Sequence, residues 1–243
     1  MLEIIKKIGP FKTEQIWFAD YPFDIKNVDR VIFRDCKNEI NAPGFSKEKI
    51  TTLVIDLTQE LDVIWKNMSS GNCQKAIRRA ERAGVKVEVN KNYKEFYNIY
   101  RAIAKAKNLS YLSFKDIKKY ATLFVAELDG KIISGHGYLF DKNNARSWVV
   151  GSDRFGLDEK YVSMVANASK LVIWEAIKYF KIKGIKEFDF GGYYLGEIDK
   201  QKKSISEFKK SFGGKITTHY VYQKDYSKLY NFLFSIKQKF INK

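Results

Sequence analysis

From residue 51 the apolar and polar positions recur in a readable order. TTLVIDL predicts a strand, QELDVIWKNMSSGNCQKAIRRAERAG one or two helices closing on Gly84, and VKVEV an alternating strand. In YKEFYNIYRAIAKAK the residues Phe96, Ile99, Tyr100 and Ile103 fall at helical spacing, and SFKDIKKYA predicts a shorter helix. TLFVAEL, KIISGHGYLF and ARSWVVGS are three apolar runs joined at Asp129-Gly130 and Lys142-Asn143-Asn144, the pattern of an antiparallel meander. VSMVANASKLVIWEAIKYFKIKG is apolar around most of a helix circumference, which predicts a buried helix ending at Gly184. KEFDF then predicts a strand, Gly191-Gly192 a turn, EFKKSF a helix and KITTHYVYQ a last strand. Residues 85 to 223 therefore read β, α, α, β, β, β, α, β, α, β.

The flanks are less legible. Residues 1–60, with IWFADYPFDI and DRVIFRD, predict short aromatic strands of an N-terminal extension or partial domain without a fixed place, ahead of a main domain over 61–225. In residues 226–243, Leu229, Phe232, Leu233, Ile236 and Phe240 share one helical face with lysines outside it. This C-terminal amphipathic helix packs on the domain or docks on an acidic membrane.

Charge narrows the partners. The 44 Lys and Arg against 28 Asp and Glu leave +16 over 243 residues, spread along the chain, which favours an anionic substrate, tRNA or another nucleic acid, or an acidic membrane surface. Cys36, Cys73 and two histidines are too few for a disulfide framework or a zinc site, so no metal and a reducing cytosol are expected. No apolar run approaches the ~20 residues of a spanning helix, and the N-terminus lacks a signal-peptide core. The expected protein is cytoplasmic, with the inner membrane face as an alternative location.

Lys75, Arg78, Arg79 and Arg82 sit at i, i+3, i+4 and i+7 and share one face of a predicted helix, with Glu81 the sole acid in the run. Such a stripe is a solvated face or a phosphate-binding one. FDFGG ends a strand in two glycines, Gly191 and Gly192, followed by Tyr193, a turn that either serves the fold alone or admits a substrate to the sheet. In SISEFKKSFGG, Ile205, Phe208 and Phe212 line one helical face, Lys209 and Lys210 lie off it, and Gly213 supplies a left-handed end.

The element order matches the fold of the GCN5-related N-acetyltransferases. TTLVIDL with CQKAIRRAERAGVKVEV, LFVAELDGKIISG, IKEFDFGG and SISEFKKSFGG, in this order, resemble the Fem family of aminoacyltransferases and its wider acyltransferase group. The resemblance implies an α/β (α+β) fold with a mixed, mostly antiparallel splayed sheet flanked by helices. It also implies transfer of an acyl or aminoacyl group to a primary amine of a cell-envelope precursor, with Phe208 and Lys209 at the donor's end and the Gly191-Gly192 loop beside them. An ammonium at Lys209 suits that chemistry, because amine attack on an ester or thioester develops an oxyanion. Asp189 is read as an acceptor that fixes the loop, and Asp153 and His136 are the candidate general bases.

Enzymes of this fold that use acetyl-coenzyme A carry a Q/R-x-x-G-x-G/A loop before the central helix. Here SDRFGLDEKYVSMVAN lacks the second glycine spacing, which favours aminoacyl-tRNA or an acyl carrier protein over coenzyme A as donor, with no tightly bound cofactor. Classical Fem enzymes have two such domains, and this chain has room for one and part of another. The alternatives are an acyltransferase on an amino sugar using coenzyme A or a carrier protein, and a non-catalytic RNA-binding module.

Overall fold

The computed structural model describes residues 1–154 and 158–232. They divide into two compact units, one of residues 1–52 with 217–232 and the other of residues 53–154 with 158–216.

In the first unit, β1 (Leu2–Ile8) and β2 (Phe11–Trp17) form an antiparallel hairpin, β3 (Arg30–Cys36) runs parallel to β2, and residues 220–225 of the last strand pair antiparallel with β3. These are the aromatic strands that the sequence left unplaced. Ile16, Val31, Phe33, Cys36, Tyr220 and Tyr222 form their core.

The second unit begins inside β4 (Ser46–Asp56). Then follow α1 (Leu61–Asn67), a π-helical turn over Ser70–Gln74, α2 (Lys75–Arg82), β5 (Lys86–Val89), α3 (Tyr93–Ala106) and α4 (Phe114–Tyr120). The meander is β6 (Thr122–Leu128), β7 (Lys131–Phe140) and β8 (Asn144–Ser152). After it come α5 (Glu159–Ile182), β9 (Glu187–Gly192), α6 (Lys200–Lys210) and β10 (Lys215–Asp225), which crosses into the first unit. From β5 to β10 this is the predicted order.

The sheet of this unit runs β4-β9-β8-β7-β6-β5, antiparallel from β5 to β8 and parallel between β8 and β9. It is an open, mostly antiparallel sheet with helices on both faces. Phe124 and Ala126 pack with α2 and α5, whereas Leu123 and Val125 pack with Phe96 of α3 and Ile117 of α4. A strand covered on both sides has no polar face, which is why TLFVAEL reads as an unbroken apolar run. Gly135 of β7 is small for the same reason, since a Cβ there would lie 2.5 Å from the Phe96 ring.

The α6 region departs from the expected pattern. Asp199 caps the helix through Lys202 N, and it ends at Lys210, so Phe212 lies beyond it rather than on its stripe. Ser206 is buried and accepts a hydrogen bond from Tyr194 N at 2.8 Å, while Ile205 is exposed. A tertiary hydrogen bond sets the helix rotation here, and apolar periodicity carries no record of it. In the C-terminal segment, Lys228–Phe232 is helical with Leu229 and Phe232 exposed, and the expectation for Leu233, Ile236 and Phe240 lies outside the described residues.

Candidate active site

The parallel register of β8 with β9 runs Asn144↔Glu187, Ala145↔Phe188 and Arg146↔Asp189. Beyond Arg146, β8 continues against β7 as far as Ser152, with Trp148 as an extra bulged residue between Ser147 and Val149. The two strands therefore part after Arg146 and Asp189. These two side chains form a buried ion pair at the last paired position. Asp189 Oδ1 also accepts from Gly191 N at 2.6 Å, so it fixes the turn that carries β9 away. Gly191 has φ +76°, a conformation that favours glycine.

Lys209 reaches this turn from α6. Its Nζ donates to Gly192 O at 2.5 Å, and the side chain is half-buried, while Lys210 is exposed. Burial lowers the Lys209 ammonium from its ordinary value to about 8, with Asp189 pulling it up and Arg146 pushing it down. An ammonium has three N–H donors and the Gly192 carbonyl takes one. The structure thus brings Lys209, Gly191 and Gly192 together, with Phe208 on the same helix and Tyr193 packed against the same core.

A second lysine, missed in the sequence, lies behind them. Lys170 of α5 is buried, and its Nζ donates to Asn72 O at 3.1 Å and to Asn72 Oδ1. It lies 5.7 Å from the centre of the Phe208 ring, and desolvation lowers its pKa while Cys73 opposes the shift. The signal was a lysine set in the middle of the apolar run VSMVANASKLVIWEAI of α5. Arg146 and Asp189 carried a similar one, as charges of opposite sign set within two apolar strands.

Lys75, Arg78, Arg79 and Arg82 are all exposed on α2, whose opposite face buries Ala76, Ile77 and Ala80 toward α5. Arg78 lies over the Trp65 ring at 5.5 Å, and no acidic residue pairs with the stripe among the described residues.

Asp153 is not brought to this turn. It lies seven residues beyond Arg146, about 20 Å along a strand, where its Oδ2 meets Lys131 Nζ at 3.6 Å and Tyr161 OH at 3.5 Å. His136 is buried and shares a 2.8 Å hydrogen bond with Ser169 Oγ, and desolvation followed by the charge of Arg154 lowers its pKa to about 3. It is a neutral, packed strand residue. Burial raises the Cys73 thiol to about 11 and the Cys36 thiol to about 12, so neither supplies a thiolate nucleophile at neutral pH.

The two glycines separate by role. A Cβ at Gly192 would meet nothing within 4 Å, and its φ is not positive. Gly192→Val should therefore leave the melting temperature nearly unchanged. If a substrate passes over this turn, the same variant loses transfer. A melting point lowered in step with activity would make Gly192 structural.

A sheet that opens beyond a parallel rung, with helices on both faces, is the fold of the GCN5-related N-acetyltransferase type. Solved structures share it at low sequence identity. FemX aligns over 95% of this chain and 85% of its own, with TM-score 0.66 and 12% identity. The L-PGS of Bacillus licheniformis aligns over 90% and 79%, with TM-score 0.57 and 12% identity. The C-terminal DUF2156 domain of a putative lysylphosphatidylglycerol synthetase from Agrobacterium fabrum aligns over 81% and 68%, with TM-score 0.54 and 16% identity. No family model and no curated protein matches the sequence. No described helix is long and apolar enough to cross a membrane.

Proposed function

We propose that this protein is a Fem-like N-acyltransferase that moves an acyl or aminoacyl group from an activated ester or thioester to a primary amine, the acceptor being a cell-envelope precursor. The observation that carries the reading is Lys209, a half-buried ammonium held by Gly192 O where β8 and β9 part. The amine nitrogen attacks the acyl carbon, and a C–N bond forms as the C–O or C–S bond to the carrier breaks. Negative charge collects on the carbonyl oxygen between these events. Lys209 donates to that oxygen, and with a pKa of about 8 it is mostly protonated at neutral pH. No second titratable group is required if the acceptor arrives as the neutral amine and the proton that its nitrogen sheds passes to the departing oxygen or sulfur, so Asp153, distant along β8, is not the base of this reading.

The α2 stripe supports an aminoacyl-tRNA donor, since unpaired Lys75, Arg79 and Arg82 beside Arg78 form a one-sided cationic face. The name of the A. fabrum domain, that of a putative lysylphosphatidylglycerol synthetase, accords with aminoacyl transfer. Incubation with charged tRNA, acyl-coenzyme A and acyl carrier protein, with mass analysis of amine acceptors, tests the reading. A mass increase with charged tRNA alone is expected; no transfer from any donor overturns it.

The same stripe is what a non-catalytic RNA-binding module would use, and it can be tested by itself. Binding of tRNA should weaken steeply with salt, and Arg78→Ala with Arg79→Ala should lower the slope of log K against log salt by roughly 1 to 2. An unchanged slope would return the stripe to a solvated face.

A further inference from the structure

The segment between β9 and α6 is built around one ring. Tyr194 N donates to Ser206 Oγ at 2.8 Å, Asp199 N donates to the Tyr194 hydroxyl at 3.3 Å, and Gly196 lies so close to the side chain that a Cβ would come within 2.4 Å of the hydroxyl and 2.5 Å of the ring. Lys202 Nζ sits 5.7 Å over the same ring. The tyrosine thus occupies the inside of the loop and the neighbouring apolar side chains are turned out. Leu195 is 66% exposed and Ile198 96%, with Ile205 of α6 at 46%. Scattered surface apolar residues need no explanation, but Leu195 and Ile198 stand out on one loop with its own internal hydrogen bonds, and Ile205 follows on the helix that the loop enters.

The charges around these residues are mainly positive. Glu197 pairs with Lys203 and Asp199 with Lys202, and Glu207 is the third acid of the segment. Lys200 and Lys210 are exposed with no acidic partner among the described residues. The end of α6 is tied to the start of the π-helical turn, where Ser69 N donates to Ser211 O at 2.8 Å, so the cationic α2 follows close by. An isoleucine held almost wholly in water, followed two residues on by the exposed Lys200, suits a layer that is anionic at its surface and apolar just beneath.

We propose that the Tyr193–Asp199 loop, with Leu195, Ile198 and the lysines of α6, docks this protein on an anionic lipid bilayer. Leu195 and Ile198 enter the headgroup–acyl boundary, and Lys200 and Lys210 remain among the lipid phosphates. The proposal is independent of the transfer reading, because it concerns binding alone.

Sedimentation with vesicles tests it. The full chain should bind phosphatidylcholine vesicles containing about a third phosphatidylglycerol, and bind pure phosphatidylcholine far less. Leu195→Ser with Ile198→Ser should reduce partitioning at least about tenfold. Both side chains are exposed, so circular dichroism and the melting temperature should not move. Lys200→Gln with Lys210→Gln should weaken binding and flatten its salt dependence. Equal binding to both vesicle types, no binding to either, or a loop variant that binds like wild type would each overturn the proposal, the last pointing instead to the C-terminal segment. Light scattering covers the remaining occupant: if the loop variant converts a dimer to a monomer, the loop is a contact between copies and the proposal falls.

Discussion

Lys209→Met should lower the transfer rate about a hundredfold or more, while Lys210→Met changes it little. Losing one donor to a developing oxyanion costs 10²–10³ in kcat. Lys209 meets the conditions of such a donor, being half-buried, held at Gly192 O and placed where β8 and β9 separate. Lys210, one residue on, points to solvent. Fold damage is not expected. The folded protein lowers the Lys209 pKa to about 8, so it disfavours the charged form, and stability rather rises as pH increases from about 8 toward the ordinary lysine value. Removing the charge therefore does not destabilise the protein at neutral pH. The active ammonium loses its proton through the same range, so kcat should fall above pH 8. Lys209→Arg, which keeps its proton, should move that alkaline limb out of range. Equal rates for the two methionine variants at saturating donor and acceptor would remove Lys209 from the reaction, and an unmoved limb in Lys209→Arg would show that another group titrates.

The second large effect concerns the two glycines behind that lysine. Gly213→Ala and Gly214→Ala should each cost about 2–4 kcal/mol of unfolding free energy. Their φ values are +78° and +90°, and a Cβ would lie 2.8 Å from Asn67 O at Gly213 and 2.8 Å from Val54 O at Gly214. Gly184 is the control: its φ is +77°, but a Cβ would meet nothing within 4 Å. Alanine there should cost only the backbone preference, about 1–2 kcal/mol. Urea denaturation of the three variants separates the two contributions. Equal losses would show that backbone strain alone makes Gly213 and Gly214 glycine.

The sequence by itself determined the order of elements from β5 to β10. Each of these segments declares its period locally, as in the both-faced apolar runs of the meander and the all-round apolar α5, and burial imposes that pattern whatever the partners. The preference for Lys209 over Lys210 comes from the family resemblance, because the roughly 100° between adjacent helix residues separates the two side chains without saying which one faces the sheet. Only the tertiary structure decided what these residues meet. The burial of Ser206 in place of Ile205 depends on a hydrogen bond from Tyr194. The splay depends on where β8 and β9 stop pairing, at Arg146 and Asp189, forty-three residues apart in sequence. By sequence Asp153 is a candidate base because it follows the splaying strand, and only the fold shows that its carboxylate meets Lys131 and Tyr161. The buried Lys170 has both oxygens of Asn72 as its partners, ninety-eight residues away, a pairing that no local pattern announces. Periodicity is a property of one segment against an environment, so a single chain records it. Hydrogen bonds, ion pairs and close approaches join two segments whose separation along the chain bears no relation to their distance in space, and folding alone brings them together.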